Sequence, residues 1–353
     1  MKTIYSPFTN STNKYVDIIK RALDSYGIQT YDLKVALKDI KSFEIINLNW
    51  FESKVNKNRL DKSILGFAKN VAIVKYLKCR GIKIVYTFHN KMPHDCKYKK
   101  LNYKFIEYMF KESDAIVVLC EESRNVITQL STDMDVIKNV KVIPHPSYIN
   151  ECKNYYRPLV LKKPRMHITF VGAVKKYKNI EVLIEAARRC EDLPVQFSIC
   201  GKVESPEYKK ELEAQAKTIS NVEFDFNFLD DEALYRLISD SDLLVLPYDI
   251  NSSLNSGTLY LAFTLGRTAV CPEIGTVKEF PKNLIYSYNY RDTEEHERKL
   301  DETIKKAIDD YINDFEKFRN KGETLHSIVN EKCSEEAIGR KYKDLYDSLV
   351  KGK

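Results

Sequence analysis

Hydroxyl groups and a glycine cluster where an apolar helix is predicted to begin. In LNSGTLYLAFTLGR, Ser256, Gly257 and Thr258 stand in the first turn, soon after the strand-like run LLVLPY. No acidic residue occurs between Ile250 and Pro272, although charged residues make up 30% of the chain. A helix N-terminus offers N–H groups to anions, a glycine lets a ligand approach the backbone, and hydroxyl groups add donors. This pattern favours a diphosphate ligand; the alternative is an ordinary serine N-cap on a buried helix.

A second stretch, FVGAVKKYKNIEVLIEA, places Lys175 and Lys178 between a predicted strand and the next helix. Lysines at the carboxyl end of a strand in the same sheet can hold a diphosphate from the side opposite Ser256. The alternative is a set of lysines solvated in a turn. Neither GxxxxGK[ST] nor GxGxxG occurs in the chain, which excludes a phosphate-binding P-loop and a dinucleotide fingerprint.

Strand-like runs alternate with amphipathic helical stretches along the whole chain and predict the elements that position these residues. The first half contains KIVYTFHN, AIVVLC and VKVIPHP, and the second contains MHITFVG, VQFSICG and LLVLPY. Several runs are apolar throughout, as in parallel sheets that helices cover on both faces. The polar, basic stretch 150–165 indicates a linker. We therefore predict two α/β, doubly wound domains, residues 1–155 and residues 156–334.

The composition is typical of a water-soluble globular protein. The chain has 353 residues, enough for two domains of ordinary size, and a mean hydropathy of -0.41. No window approaches the roughly 20 apolar residues of a membrane span, and the N-terminus lacks the apolar core of a signal peptide. The eight cysteines are scattered without a CxxC pair, which favours reduced, structural thiols. We expect a cytoplasmic protein.

The charge is unevenly distributed between the two halves. Residues 1–160 contain 27 Lys and Arg against 16 Asp and Glu, whereas the remainder contains 30 against 34. The basic and aromatic segment KMPHDCKYKKLNYKFIEYMF suits contact with an anionic membrane surface. The alternative is a solvated helix whose aromatic residues belong to the core. No helix-turn-helix or aromatic-basic β platform accompanies the charge, so we expect no nucleic-acid partner.

Taken together, these stretches resemble the GT-B-fold glycosyltransferases, close to the large retaining family 4. The C-terminal half matches in FVGAVKKYKNIEVLIEA, in DDEALYRLISDSDLLVLPY and in SGTLYLAFTLGRTAV followed by EIGTVKEF. In the N-terminal half, NKYVDIIKRALDSYGI, EIINLNW and VYTFHNKMPHD resemble a bacterial subgroup linked to capsule and exopolysaccharide assembly. The resemblance implies two Rossmann-like domains that face a central cleft. It also implies that the C-terminal helix, residues 335–353, crosses back to the N-terminal domain.

The resemblance further implies a UDP- or GDP-linked sugar as co-substrate of the C-terminal domain. Lys175 and Lys178 match the basic pair that contacts the diphosphate, with the turn at residues 256–258 on its other side, and His89 matches a histidine beside the transferred sugar. Expected in the vicinity of the nucleotide and sugar are Gly172, Gly201, Asn227, Phe228, Tyr248, Asn255 and Glu279. Candidates on the acceptor side are Asn10, Asn13, His94 and Asp95.

The implied reaction is transfer of a hexose to a glycan or a lipid-diphosphate-linked oligosaccharide in bacterial surface polysaccharide synthesis, at the inner face of the plasma membrane. We expect no metal or other cofactor, because lysines and a helix end can neutralise the departing diphosphate. The DxD strings 133–135 and 240–242 do not change this expectation, since the second precedes a buried strand.

One departure from the family pattern leaves other functions open. Most family 4 enzymes carry two glutamates eight positions apart around the helix that begins near Ser256. The second glutamate falls at Leu261 here, and no carboxylate is present for the first. The departure affects how a ribose is held and whether the reaction retains stereochemistry. The alternatives are a nucleotide-sugar epimerase of the same fold and a non-catalytic partner protein.

Overall fold

The structure, a computed structural model, describes residues 1–10, 13–90 and 96–351, and the apolar runs of the sequence form strands in it. The chain divides into two compact units: Met1–Pro146 together with Lys332–Lys353, and Ser147–Glu331. Each unit is built around one parallel sheet of six strands. The limits of the two domains predicted from the sequence stay a prediction.

The first sheet has the strand order β2-β1-β3-β4-β5-β6, and every pair of neighbours is parallel. The order reverses between β1 and β3, which creates a switch point where loops diverge to opposite faces. Its strands are β1 (Lys2–Ser6), β2 (Gln29–Tyr31), β3 (Ile45–Asn49), β4 (Lys83–Phe88), β5 (Ala115–Val118) and β6 (Val140–Val142).

Helices cover this sheet, which explains why β3 and β5 are buried throughout and β4 is buried after its first residue. The helices are α1 (Tyr15–Asp24), α2 (Leu33–Ala36), α3 (Leu60–Cys79), α4 (Lys99–Glu112), α5 (Glu121–Leu130) and α6 (Met134–Lys138). Short 3-10 helices in this unit span Ile40–Ser42 and Phe51–Lys54.

The second sheet has the order β12-β11-β10-β7-β8-β9, again parallel throughout, and its switch point lies between β7 and β10. Its strands are β7 (Met166–Val171), β8 (Val195–Cys200), β9 (Val222–Asp225), β10 (Leu243–Val245), β11 (Ala269–Pro272) and β12 (Tyr286–Tyr288).

The second unit carries its own helices. They are α7 (Ile149–Cys152), α8 (Ile180–Arg188), α9 (Pro206–Ala216), α10 (Asp231–Asp240), α11 (Gly257–Thr264), α12 (Gly275–Lys278), α13 (Thr293–Asn313) and α14 (Phe315–Lys332). Short 3-10 helices span Lys153–Tyr155 and Lys176–Lys178. The predicted linker around residues 150–165 therefore begins with helical turns.

The last helix, α15 (Glu335–Lys351), returns to the first unit and packs against α1. Close approach depends on Gly339, because a Cβ there would lie 2.3 Å from the carbonyl oxygen of Ala22. The buried side of α15 adds Tyr342 and Tyr346 to the core beneath α1. This helix therefore supplies part of the interior of the first unit.

The predicted fold class, two doubly wound α/β sheets with a returning C-terminal helix, is confirmed. All eight cysteines lie in the described part of the chain, and none of them forms a disulfide. Among the described residues, no helix combines the length and the apolar character needed to cross a membrane.

Candidate functional site

The carboxyl edge of the second sheet has glycines where β7 and β8 end. Gly172 and Gly201 have φ angles of +136° and +132°, a conformation that other residues rarely adopt. A Cβ on Gly201 would lie 2.0 Å from the carbonyl oxygen of Gly172, so only glycine fits there. Because ligands of open α/β sheets bind outside the carboxyl ends of the strands, bare backbone at this edge favours close approach by a ligand.

The helix α11 begins beside the switch point, as the sequence predicts. Ser256 is its N-cap: the Oγ atom accepts a hydrogen bond from the backbone N–H of Leu259 at 3.2 Å. The backbone N–H of Ser256 donates a hydrogen bond to the Thr276 hydroxyl at 3.0 Å. Gly257 and Thr258 form the first turn, and the helix is buried from Leu259 onward. Ser256 is therefore the N-cap of α11. An anion at this helix start would contact the N–H groups of the first turn that Ser256 does not cap.

Tyr248 connects this helix start to the lysine loop. The Lys178 ammonium group lies 3.6 Å from the centroid of the Tyr248 ring, and the Tyr248 hydroxyl is 3.2 Å from Ser256 Oγ. Asn179 adds a second connection, since its side-chain amide donates to the carbonyl oxygen of Pro247 at 2.9 Å. The loops after β7 and β10 are thus joined across the switch point.

The lysines of this loop have different surroundings. Burial, and to a lesser extent the nearby charge of Lys175, lowers the pKa of Lys178 to about 8. Lys176 faces α9, where it forms an ion pair with Glu211 at 3.2 Å and lies 5.4 Å from the Tyr208 ring. Of these two, Lys178 is the lysine placed at the switch point.

The remaining donor-side candidates are less clustered. Asn227 and Phe228 follow β9 at the far edge of the same sheet; Phe228 is 68% exposed, and the Asn227 side chain donates to Asp225 at 2.8 Å. Asn255 directly precedes the cap of α11, whereas Glu279 is exposed at the end of α12. Ring and hydrogen-bond contacts join the lysine loop, Tyr248 and the start of α11, while Gly172 and Gly201 lie at the same edge of the sheet.

Position 261, where the family pattern that the sequence resembles implies a glutamate, is part of the core. Leu261 is 4% exposed within α11. A carboxylate at such a position would need a partner to offset its desolvation. The apolar residue is therefore consistent with its surroundings, and α11 offers its start rather than a carboxylate to a ligand.

In the first unit, His89 follows β4 in a buried aromatic cluster. Its ring stacks on Trp50, with centroids 4.0 Å apart and planes at 14°, and lies edge-on to Tyr15 at 5.0 Å. The Nε2 atom is 3.1 Å from Asn49 Oδ1. Burial, and secondarily His145, lowers the pKa of His89 well below its ordinary value, so the imidazole is neutral at pH 7.

The acceptor-side candidates are only partly described. Asn10 and Asn13 lie between β1 and α1, beside the switch point of the first sheet. The Asn13 side chain accepts a hydrogen bond at 2.9 Å from the backbone N–H of Tyr15, the first residue of α1. His94 and Asp95 lie outside the described residues.

Sequence reasoning overlooked two buried polar residues at and just beyond the end of β3. Asn49 ends a strand that is buried throughout, and Glu52 lies just beyond Trp50 with 3% exposure. The Tyr86 hydroxyl donates to Glu52 at 2.7 Å, and burial raises the pKa of Glu52 to about 7. The available signal was EIINLNW, in which two asparagines interrupt an apolar run without a turn signal.

Within the described residues, no group of three or more His, Cys, Asp and Glu side chains is arranged to hold a metal ion. Metal independence stays a prediction.

Residues 153–252 match the family model described as "Glycosyl transferases group 1". A GDP-mannose:glycolipid 4-beta-D-mannosyltransferase of Xanthomonas campestris pv. campestris is 22% identical over 263 residues, which cover 74% of this chain and 70% of the relative.

Solved structures resemble the whole chain at low sequence identity. HepE of Anabaena, in complex with UDP and glucose, has a TM-score of 0.71 at 14% identity, covering 99% of this chain and 100% of that chain. Sucrose-phosphate synthase of Thermosynechococcus elongatus has a TM-score of 0.74 at 13% identity, covering 100% of this chain and 99% of that chain. The fold is the GT-B fold, and together with the matched domain it supports a glycosyltransferase of the GT-B type.

Ser256 offers a test that separates helix capping from anion binding. Asparagine and aspartate are both good N-caps of nearly equal size, so Ser256→Asn and Ser256→Asp should unfold within about 1 kcal/mol of each other. The aspartate places a negative charge at the helix start. We expect it to weaken pyrophosphate binding at least about tenfold relative to the asparagine variant, since a charge-assisted contact contributes roughly 1.5–3 kcal/mol. Calorimetric titration of both variants measures this; equal affinities would exclude an anion at this helix start.

The lowered pKa of Lys178 predicts a pH dependence. The lysine is charged below about pH 8 and neutral above it, so its attraction for an anion is present at pH 7 and is lost as the pH rises. Pyrophosphate affinity of the wild type should fall roughly tenfold more from about pH 7 to about pH 9 than that of Lys178→Arg, whose side chain stays charged. Comparing the two proteins at each pH cancels the titration of the ligand. Identical pH profiles would show that Lys178 does not contact the anion.

Proposed function

We propose that this chain is a glycosyltransferase that moves a hexose from a nucleotide-diphospho-sugar to a glycan or a lipid-linked oligosaccharide. The observation that carries the proposal is the convergence of Lys178 and the Ser256 helix start on Tyr248, beside the switch point of the second sheet. Two independent sources of positive potential at one ligand-binding edge suit a diphosphate. The "Glycosyl transferases group 1" match ends at residue 252 and so includes the lysine loop and Tyr248.

The chemistry requires a group that stabilises the leaving diphosphate. An acceptor hydroxyl oxygen forms a bond to the anomeric carbon and releases its proton, while the bond from that carbon to the phosphate oxygen breaks. The diphosphate departs with the electron pair, and its additional negative charge is met by Lys178, Lys175 and the N–H groups of α11. We propose that these groups make a divalent metal unnecessary.

His89 is proposed to act at the transferred sugar, as in the family that the sequence resembles. A neutral ring carries a lone pair that can accept a hydrogen bond from a sugar hydroxyl group, which an imidazolium cannot do. Burial keeps the ring neutral at pH 7 because it lowers the pKa of His89.

The relatives point to two donor bases. The name of the Xanthomonas relative specifies GDP-mannose and a glycolipid acceptor, whereas the HepE structures hold UDP, glucose or UDP-glucose. Both are compatible with the site, because the residues that converge here would address the diphosphate rather than the base. The glycolipid acceptor of the relative supports a place in bacterial surface polysaccharide synthesis, within the capsule and exopolysaccharide subgroup of family 4.

The test is a calorimetric binding screen of UDP, GDP, ADP and their common sugars. We expect saturable binding of one nucleotide to the wild type, weakened by at least about tenfold in Lys178→Ala, since a hydrogen bond to a charged group contributes roughly 1.5–3 kcal/mol. The matched control is Lys176→Ala, which removes a lysine that pairs with Glu211 instead and should bind like the wild type.

The outcomes of the screen separate the alternatives. Transfer of sugar from the bound nucleotide to an added glycolipid supports the proposal. Nucleotide-sugar conversion without any acceptor would indicate an epimerase. Failure of every nucleotide to bind would overturn the proposal in favour of a non-catalytic partner protein, to which the missing glutamate pair also points.

We also propose that the first unit contacts an anionic membrane, which would bring the enzyme to a lipid-linked acceptor at the inner face of the plasma membrane. The helix α3 exposes Leu60, Ile64 and Leu65 at 49%, 52% and 69%. Its neighbour α4 exposes Tyr103 and the basic residues Lys99, Lys100 and Lys104, whereas Phe105 is in the core. Exposed apolar side chains beside lysines are the combination that anionic interfaces bind.

Sedimentation with anionic vesicles tests the membrane proposal. Lysines near an anionic surface contribute about 1 kcal/mol each, so the double variant Lys100→Ala, Lys104→Ala should bind roughly 30-fold more weakly. Leu65→Glu should weaken binding as well. The matched control is Leu37→Glu, which changes another exposed leucine of the same unit. Absence of wild-type binding at low salt, or equal loss in the control, would contradict the proposal.

A further inference from the structure

Trp50 has a backbone conformation that its side chain disfavours. It follows β3 with φ 48° and ψ 33°, the left-handed region that bulky residues rarely adopt. Among the described residues, Asn179 is the other non-glycine residue with a positive φ, and asparagine tolerates this region. A tryptophan held here indicates that its ring is needed at this place.

The strained backbone brings the indole into contact with the candidate catalytic ring. Trp50 stacks nearly parallel on His89 at 4.0 Å between centroids, and Tyr15 meets both rings edge-on, at 5.7 Å and 5.0 Å. The plane of the imidazole is therefore set by two aromatic neighbours from two other elements, the end of β3 and the start of α1.

A chain of hydrogen-bonded, buried polar side chains leads to the His89 ring. Asn47 donates its amide to the Tyr346 hydroxyl at 3.0 Å, which connects the chain to α15. The Oδ1 atom of Asn47 accepts from the Thr87 hydroxyl at 3.1 Å and from the Asn49 amide at 3.2 Å. Asn47, Asn49 and Thr87 are at most 1% exposed. Buried amides in an apolar strand are costly unless they are hydrogen-bonded, and here each is.

The direction of these hydrogen bonds determines the state of His89. Because Asn49 donates its amide to Asn47, its oxygen faces Nε2 of His89 at 3.1 Å. An amide oxygen only accepts, so with Asn49 in this orientation Nε2 is the nitrogen that carries the proton. In a neutral ring the lone pair is then on Nδ1.

We propose that Asn49 and Trp50 are positioning residues for His89: Asn49 determines which ring nitrogen carries the proton, and Trp50 determines the plane of the ring. The inference rests on the proposed function only in its effect on transfer, because both geometric statements hold without a substrate. The polar chain gives the returning helix α15 a second role, since Tyr346 supports the amide that orients Asn49.

Nitrogen-15 NMR of histidine-labelled protein tests the first statement. We expect the His89 nitrogens of the wild type to show the Nε2–H tautomer, and the nearly isosteric Asn49→Leu to show a mixture of both tautomers. His89→Gln identifies the signals. An Nδ1–H tautomer in the wild type, or an unchanged tautomer in Asn49→Leu, would overturn the role of Asn49.

The second statement is tested with Trp50→Gly and Trp50→Phe. Glycine adopts the left-handed backbone without strain, so the fold is retained while the ring is lost. The carbon-bound protons of His89 should resonate upfield in the wild type, move downfield in Trp50→Gly and lie between in Trp50→Phe. Trp50 is the only tryptophan of the chain, so its single indole N–H signal reports contact with His89 when His89→Gln is compared with the wild type. Unshifted His89 protons in Trp50→Gly would show that the stacking does not persist in solution.

Kinetics then connect positioning to transfer. We expect kcat of Trp50→Gly to fall on the order of 10- to 100-fold, with nucleotide affinity unchanged and most of the rate restored in Trp50→Phe. An unchanged kcat in Trp50→Gly would overturn the positioning role. If the wild type binds no nucleotide, the proposed function fails instead, and the tautomer and stacking measurements still decide the inference about the ring.

Discussion

The candidate site of the second unit depends on one contact, the Lys178 ammonium group on the face of Tyr248. Tyr248 also reaches the N-cap of α11 through its hydroxyl, so one side chain joins two loops that leave the sheet on opposite sides of the switch point. The Asn179 amide reinforces this connection through the carbonyl oxygen of Pro247. The face of the Tyr248 ring stabilises the Lys178 ammonium group, whose pKa burial lowers. The quadrupole of the ring attracts the positive charge but, unlike a carboxylate, does not neutralise it. An ammonium group held in this way is available to an arriving anion, whereas the neighbouring Lys176 is already paired with Glu211.

In the first unit, buried side chains also join separate elements, here through hydrogen bonds between amides and hydroxyl groups. A strand that should be apolar throughout carries Asn47 and Asn49, and their amides are satisfied by each other, by Thr87 and by Tyr346 of the returning helix. The helix α15 therefore does more than pack against α1, because its Tyr346 completes the chain of hydrogen bonds that begins at His89. Polar groups buried in this way specify one arrangement, since any other leaves an amide without a partner in a low-dielectric interior.

A feature of the structure is predictable from the sequence when the residues that determine it lie close together in the chain. Apolar runs and helical periodicity predict both sheets, because burial on two faces acts on every residue of a strand. The start of α11 is predicted because capping is local. Lys176 and Lys178 look alike in the sequence, and only the 3-10 turn that contains them decides which one meets Tyr248. Asn49 was overlooked because its orientation depends on Asn47, whose amide pairs with Tyr346 of α15, 299 positions away. Trp50 was overlooked because tryptophan rarely adopts a left-handed backbone, so its residue type does not predict one.

The charges around α11 explain why leucine suits position 261, where the family pattern implies a glutamate. The stretch from Ile250 to Pro272 contains one charged residue, Arg267, which is buried and donates to the backbone carbonyl oxygens of Ser241 at 2.7 Å and Leu265 at 3.0 Å. That guanidinium group stabilises the far end of the helix and contributes nothing at its start. The positive potential at the start therefore comes from the helix and the lysine loop. A carboxylate at position 261 would oppose that potential from inside the core, and leucine there removes the conflict at the expense of a polar contact to a ligand. Under the proposed function, such a site would rely more heavily on diphosphate contacts than one that also holds a ribose through a carboxylate.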